Sequence, residues 1–268
     1  MPGVNMIVCC KEVPDPEAPP ASFKVDPANK KVIPAPDVKH LIGQYDEFAM
    51  EAALRIKDQV GGKITALSLG RGFVMDVIKK TLSVGGDELI LLDDAAFEQC
   101  DTCATAQALA MAIKKIGEYD LIFCGRQDSD WGYMQIPLGI AEILEIPAIH
   151  IAKKVEVTDG KARIERVAGD ITEVIEVGLP ALVTVTSELG NLRYPALKGI
   201  MAAAKKKPTV WGPADIGLDA SQIGAMCLCK TVSLFQPVKE SKCEIIEADS
   251  PAEAAVKLAL RLREEKLI

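Results

Sequence analysis

YDLIFCGRQDSDWGYMQIPLG, residues 119–139, is the stretch from which the rest of the chain can be read. It begins with the apolar run Leu121-Ile122-Phe123-Cys124, breaks at Gly125, crosses a polar turn and resumes as Met134, Ile136, Leu138 and Ile140. A short apolar run bounded by turn residues predicts a buried parallel strand, and the resumed pattern predicts a helix start. In an open α/β sheet such a loop lies beyond the carboxyl end of a strand, where ligands bind. The following helix aims free N–H groups and its positive end into the same space, and Arg126 adds a fixed cation. The stretch reads as an anion cradle, above all for the phosphate of a nucleotide, or as an ordinary strand-to-helix loop that binds nothing.

The same alternation extends toward the amino terminus. Residues 4–10, 63–68 and 87–92 predict strands, and residues 46–60, 73–83 and 101–116 predict helices. Gly61-Gly62 and Gly85-Gly86 follow two of those helices, as glycine commonly does. Strand and helix in this alternation imply right-handed crossovers and a doubly wound parallel sheet of Rossmann-like type, in the α/β class. Residues 15–40 interrupt it as a long Pro-rich, charged excursion, with Lys24-Val25-Asp26 and Lys31-Val32-Ile33 able to pair as a hairpin. Such a segment is expected to be functional or to cover a partner.

Toward the carboxyl terminus the period changes. From about residue 151 to 185 the runs alternate and are divided by Asp159-Gly160 and Gly169-Asp170, which predicts an appended antiparallel section. Residues 192–201, LRYPALKGIM, read either as a short amphipathic helix lying on the core or as an exposed docking loop anchored by Leu197. Residues 208–245 read as an irregular extended arm. Ser250-Pro251-Ala252-Glu253 then caps a final helix running to about residue 267. The expected division is a nucleotide-binding unit, 1–207, and an arm with its helix, 208–268, packing on a partner.

Composition narrows the function. The chain has 268 residues, is 49% hydrophobic but only 4% aromatic, and carries a net charge of −7. An aliphatic core suits helix-covered parallel strands, and the acidic balance argues against general nucleic-acid or membrane-surface binding. No apolar run approaches the about 20 residues of a membrane span. The opening MPGVNMIVCC lacks a basic segment and a cleavage site, so a cytoplasmic protein is expected. Two histidines leave little material for acid–base or nucleophilic catalysis.

Of eight cysteines, Cys9, Cys10 and Cys124 lie in strand patterns and read as small hydrophobes. Cys100-Asp-Thr-Cys103 has dithiol spacing at a helix start, but Asp101 or Thr102 also suits a helix cap. Cys227-x-Cys229 and Cys243 lack a fourth neighbour in sequence, so no zinc site is expected.

Taken together the motifs resemble the β subunit of electron-transferring flavoprotein over nearly the whole chain. The resemblance rests on residues 8–15 (VCCKEVPD), 45–54 (YDEFAMEAAL), Ser68-Leu69-Gly70, Gly125-Arg126-Gln127, 179–185 (LPALVTV) and the stretch from Leu192-Arg193-Tyr194 to Lys207. It implies a heterodimer with an α subunit that holds FAD, and an adenine nucleotide in this chain. That nucleotide is AMP or a second FAD. The KEVPD stretch and the length resemble the anaerobic members and favour FAD. It implies a pocket from Cys9, Gly43, Gln44, Tyr45, Asp46 and Leu69. The main wall is Gly125, Arg126, Gln127, Asp128, Ser129, Asp130, Trp131, Gly132 and Tyr133, with the helix start Met134, Gln135 and Ile136. Leu197 matches the family's docking anchor, with Tyr194, Ile200 and Met201 beside it. The implied role is electron transfer between an acyl-CoA dehydrogenase-like flavoenzyme or other oxidoreductase and a further acceptor, electron bifurcation included. Two positions depart from the pattern. Gly43-Gln44 stands for the Asn-Pro of many members, and Trp131-Gly132-Tyr133 for the Gly-Asp-Thr of bifurcating ones. The competing classes are an AMP- or ATP-sensing module with no subunit partner, an adenylyl transferase, and a dithiol redox protein.

Overall fold

A computed structural model describes residues 3–237 and 243–268. The first half of the described chain contains β1 (Val4–Cys9), β2 (Glu12–Pro14), β3 (Phe23–Asp26), β4 (Lys31–Pro34), β5 (His40–Ile42), α1 (Gln44–Val60) and β6 (Gly62–Gly70). Next come α2 (Met75–Ile78), α3 (Lys80–Ser83), β7 (Glu88–Asp93), α4 (Thr102–Ile116), β8 (Leu121–Gly125) and α5 (Gln135–Leu144). The rest is β9 (Ala148–Thr158), β10 (Lys161–Ala168), β11 (Ile171–Gly178), β12 (Ala181–Val185), α6 (Leu197–Lys205), β13 (Thr209–Trp211), α7 (Ala220–Met226) and α8 (Pro251–Glu264).

One nine-stranded sheet runs in the order β11-β10-β9-β12-β8-β1-β6-β7-β13. From β12 to β13 every neighbouring pair is parallel. The chain builds outward from β1 through β6 and β7, then returns to lay β8 on the other side of β1. The strand order therefore reverses between β1 and β8, which is where open α/β sheets bind ligands. β8 is buried at every residue, as a central strand covered on both faces must be.

Helices cover the two faces. α1 turns Phe48, Ala49, Ala52, Ala53 and Ile56 inward at helical spacing, onto Val8, Phe123 and Val183. On the other face Ala108, Leu109, Ala112 and Ile113 of α4 and Ile140 of α5 join Ile7, Leu67 and Ile122. The hairpin within the excursion forms as β3 against β4, and Lys31 ties it to Glu98, which Arg71 also reaches.

Three sequence expectations are corrected. The single helix expected over 73–83 is two short ones joined at Lys79. The hydroxyls of Thr81 and Ser83 donate to the carbonyls of Ile78 and Lys80, a local competition that interrupts helices. Residues 181–185, read with the antiparallel section, instead enter the parallel sheet as β12 between β8 and β9. All five are buried, so they read as a continuous apolar run. Residues 208–226 are not irregular: β13 extends the sheet, and Ile216, Leu218 and Ile223 are buried in its core. Extended chain begins only after Met226. The final helix forms with Ser250 accepting from the Glu253 amide, and α8 contains no buried residue.

Candidate functional site

The end of β1, the start of α1 and the end of β8 converge where the strand order reverses. Asp46, in the first turn of α1, fastens the three together. Its carboxylate accepts the Lys11 amide at 2.8 Å and the Gly125 amide at 3.2 Å. The Gly43 amide donates to the Lys11 carbonyl at 2.9 Å. A Cβ on Gly125 would stand 2.6 Å from Asp46 Oδ1 and 2.7 Å from Tyr45 Cβ, so only glycine lets β8 end this close to α1. Burial pushes the Asp46 carboxyl up to about 7, against the pull of both amide donors and the Lys11 ammonium.

Asp128 organises the loop that follows. It accepts the Tyr133 amide at 2.6 Å, and its own amide donates to the Tyr133 carbonyl at 3.1 Å. Its other oxygen accepts Lys11 Nζ at 2.8 Å, and Asp130 accepts the same ammonium at 2.7 Å. Burial alone would lower the Lys11 ammonium, but Asp130 and Asp128 together raise it. Ser129 Oγ accepts the Gln44 amide at 2.9 Å, binding the loop to α1. At the rim the rings of Trp131 and Tyr133 lie stacked and half exposed, with centroids 6.3 Å apart.

α5 begins beyond this loop with Met134 before it and no side chain capping its first turn. The amides of Gln135 and Ile136 have no partner within the helix, and Pro137 has no N–H to offer. The Arg126 guanidinium stands over the Tyr45 ring at 4.9 Å, and its Nε is buried without a hydrogen-bond partner. Cys9, Leu69, Cys124 and Ile136 belong to the apolar cluster on the α4–α5 side. The crevice expected at such a switch point is bordered by Lys11, Gly43 through Asp46 and the loop from Gly125 to Tyr133, which these contacts hold together, with Cys9, Leu69 and Ile136 in the apolar cluster. Its chemistry is an apolar wall, one guanidinium, two free helix amides and an aromatic rim. Sequence reasoning missed Lys11 as a site residue. Its signal was position: a cation immediately after the first strand, facing a loop with two aspartates.

A second group lies apart from the crevice. Tyr194 is 97% exposed and Leu197 73%, and Ile200 and Met201 also face outward from α6. An open groove of about 610 Å³ runs along Leu197, Lys198, Met201, Ala202 and Lys205. The opposite face of α6 packs down: Ala203 is buried, and a Cβ on Gly199 would stand 2.2 Å from the Ser83 carbonyl oxygen. Arg193 holds the lead-in to α6 by ion pairs to Glu51 at 3.0 Å and Asp58 at 2.7 Å. Burial opposes ionisation of Glu51, yet Arg193 and Arg55 hold it below the usual carboxylate range. The segment is therefore a helix seated on the body that also keeps an exposed apolar face. A further hollow of about 290 Å³, lined by Asn5, Lys63, Thr65 and Glu118 among others, lies at the amino ends of β1 and β6, away from this chemistry.

All eight cysteines are free thiols. Burial pushes the Cys100 thiol up to about 12, with Cys227 and Asp101 adding to the effect, which makes it a poor exchange nucleophile. Among the described residues, no group of three or more His, Cys, Asp or Glu side chains could hold a metal ion. No described helix is long and apolar enough to cross a membrane.

Comparison with known proteins adds an independent line. A family model described as "Electron transfer flavoprotein domain" matches residues 32–216. The chain is 37% identical over 267 residues to the electron transfer flavoprotein subunit beta of Thermoanaerobacterium thermosaccharolyticum, covering 99% of this chain and all of that one. It is 34% identical to the caffeyl-CoA reductase-Etf complex subunit CarD of Acetobacterium woodii, covering 99% of this chain and 100% of that one. It is 34% identical to Protein FixA of Azotobacter vinelandii, over 91% of this chain and 89% of that protein.

Proposed function

This chain belongs to the electron transfer flavoprotein family, among its β subunits, and from that premise we propose that it binds an adenine nucleotide in the β1–β8 crevice and works as one half of a heterodimer. The partner is an α-type subunit carrying FAD. The pair moves electrons between a flavin dehydrogenase, acyl-CoA dehydrogenase-like in chemistry, and a further acceptor in the cytoplasm. The CarD relative is named for a complex with a caffeyl-CoA reductase, which supports an acyl-CoA-type flavoenzyme as the redox partner.

The observation that carries this reading is the uncapped start of α5 at the point where the strand order reverses. Its two free amides and the partnerless Arg126 Nε fit a phosphate. Cys9, Leu69 and Ile136 fit an adenine face, and Asp130 fits a ribose hydroxyl. Asp46 acts one layer back, holding the two amides that shape the crevice floor. Of the two candidate nucleotides, the half-exposed Trp131–Tyr133 stack favours a full FAD over AMP, because it extends the pocket with a surface for a second flat ring. FAD supplies the redox chemistry when bound; this chain's residues bind it, orient it and exclude water.

The apolar face of α6 is the docking surface for the dehydrogenase, with Leu197 as its anchor. The exposed arm after Met226 and the unburied α8 are the surfaces that meet the α subunit. Acid extraction of the purified heterodimer, followed by chromatography, tests the ligand: two FAD per pair are expected. One FAD with one AMP would overturn the choice of FAD. A chain that runs as a stable colourless monomer, with no affinity for a flavoprotein subunit, would overturn the whole reading in favour of a nucleotide-sensing module.

A further inference from the structure

Glu51 lies in the middle of α1 and is only 5% exposed. A buried carboxylate needs partners, and it finds them in the segment that leads into α6. Its Oε1 accepts Arg55 Nε at 3.0 Å and Arg193 Nη2 at 3.2 Å. Its Oε2 accepts Arg193 Nε at 3.0 Å and the Arg193 backbone amide at 3.1 Å. Arg193 thus grips one carboxylate with two prongs of its guanidinium and with its own main chain, a geometry that fixes orientation as well as distance. Its Nη1 also reaches Asp58, two turns further along α1, at 2.7 Å. Arg55 in turn donates to the Leu189 carbonyl at 2.7 Å and passes over Gly190, where a Cβ would stand 3.0 Å from its Nη2. No helix or strand covers residues 191–196, so these side chains decide where α6 begins. The far end of α6 is referred to the same helix. Lys206 Nζ donates to the Asp87 carbonyl at 2.6 Å, and the Asp87 carboxylate accepts Lys57 Nζ of α1, also at 2.6 Å.

We propose that Glu51 is a positioning residue for docking: through Arg193 and Arg55 it seats α6 on α1, so that Leu197 and the apolar face around it meet a partner already formed. The inference rests on the reading of α6 as the docking surface. The anchor ends where that face begins, since Tyr194 directly after Arg193 is 97% exposed and Leu197 73%. Glu51 touches neither the partner nor a flavin. Its work is to hold the face in one arrangement before the encounter, which lowers the ordering cost that association must meet. A carboxylate buried between two arginines adds little stability over an apolar core of the same shape, because desolvation offsets the attraction. Here its geometry is what the fold uses: one side chain ties two arginines, a backbone amide and, through Arg55, a carbonyl to a rigid helix.

The test uses the flavin-loaded heterodimer as electron acceptor of an acyl-CoA dehydrogenase, with the heterodimer varied in concentration. Glu51→Gln should raise the KM for the heterodimer about three- to tenfold, with kcat and bound flavin unchanged. Arg193→Lys, which keeps the amide contact and one charged prong, should fall between Glu51→Gln and wild type. In a Leu197→Ala background Glu51→Gln should add nothing further, because both act through the same face. A KM unchanged by Glu51→Gln but raised by Leu197→Ala would overturn this proposal and leave the docking face standing. A KM unchanged by Leu197→Ala, or no transfer to the wild type, would overturn the docking reading and this inference with it. An equal further rise in the Leu197→Ala background, or a fall in kcat or flavin content, would assign Glu51 to general integrity of the fold and overturn the proposal. A second measurement needs no variant: by residue-resolved hydrogen exchange of the unmodified protein, the Arg193 amide should exchange at least about tenfold more slowly than the neighbouring Tyr194 amide. Equal rates would show that the grip on Arg193 is not held in solution and would overturn the proposal.

Discussion

At the scale of single residues, Asp46 carries the clearest consequence. Its carboxyl is raised to about 7 by burial, whereas an unfolded chain gives an aspartate a value of about 4. Between those values the folded state holds a proton that the unfolded state releases, so stability falls as pH rises through the window and levels off above it. The urea midpoint is expected to decline between about pH 5 and 7. Asp46→Asn should flatten that slope while costing about 1–3 kcal/mol, because its NH2 would face one of the two amides the carboxylate now serves. A wild-type midpoint that does not change over this range would contradict the assignment. Arg126 gives the second residue-level prediction. Arg126→Ala should weaken nucleotide retention by about 10- to 100-fold, measured by equilibrium dialysis of the stripped protein, with the fold unchanged by circular dichroism. Lys11 is a different case, since both of its carboxylate partners belong to the loop. Its work is to close the loop over the end of β1.

Among the secondary-structure elements, α6 shows how one short helix can be both structural and exposed. Leu197→Ala should slow electron transfer to the partner dehydrogenase by about tenfold with bound flavin unchanged; equal rates in stopped-flow assays would remove the docking role. Gly199→Ala attacks the other face. Its added methyl meets the Ser83 carbonyl, so a loss of about 1–3 kcal/mol in thermal unfolding is expected, with docking impaired as α6 lifts. The elements also show where sequence reading succeeds. Strong apolar runs and good caps revealed β1, α1, β6, β7, α4 and β8, and with them the reversal of strand order between β1 and β8. The contacts of Asp46, Gly125 and Asp128 were within reach of the sequence because these residues lie at the start of a helix or at and just past the end of a strand. β13 was not legible, since three residues, Thr209–Trp211, give no measurable period. α7 had a readable start in Asp219 and Gln222, which form a capping box, but seven residues of helix were easy to pass over. The anchoring of the Leu228 and Cys229 amides on Asp101 depends on tertiary contact alone, and no local pattern could announce it.

Across the whole molecule, the body ends and the extended chain begins at about Met226. Limited proteolysis of the chain alone should cut first within residues 227–237, leaving a resistant core, and the α subunit should suppress that cleavage. Equal cleavage with and without the α subunit would show that the arm is not part of the interface. The position of β1 has one more consequence. It sits in mid-sheet, hydrogen-bonded to β6 on one side and β8 on the other. During synthesis, therefore, β1 must wait with a bare edge until residue 125 has emerged. Local hairpins such as β9–β11 can close at once, but the central strand cannot, and distant strand pairing of this kind is slow. The nascent chain should therefore lean on chaperones for longer than its modest size suggests.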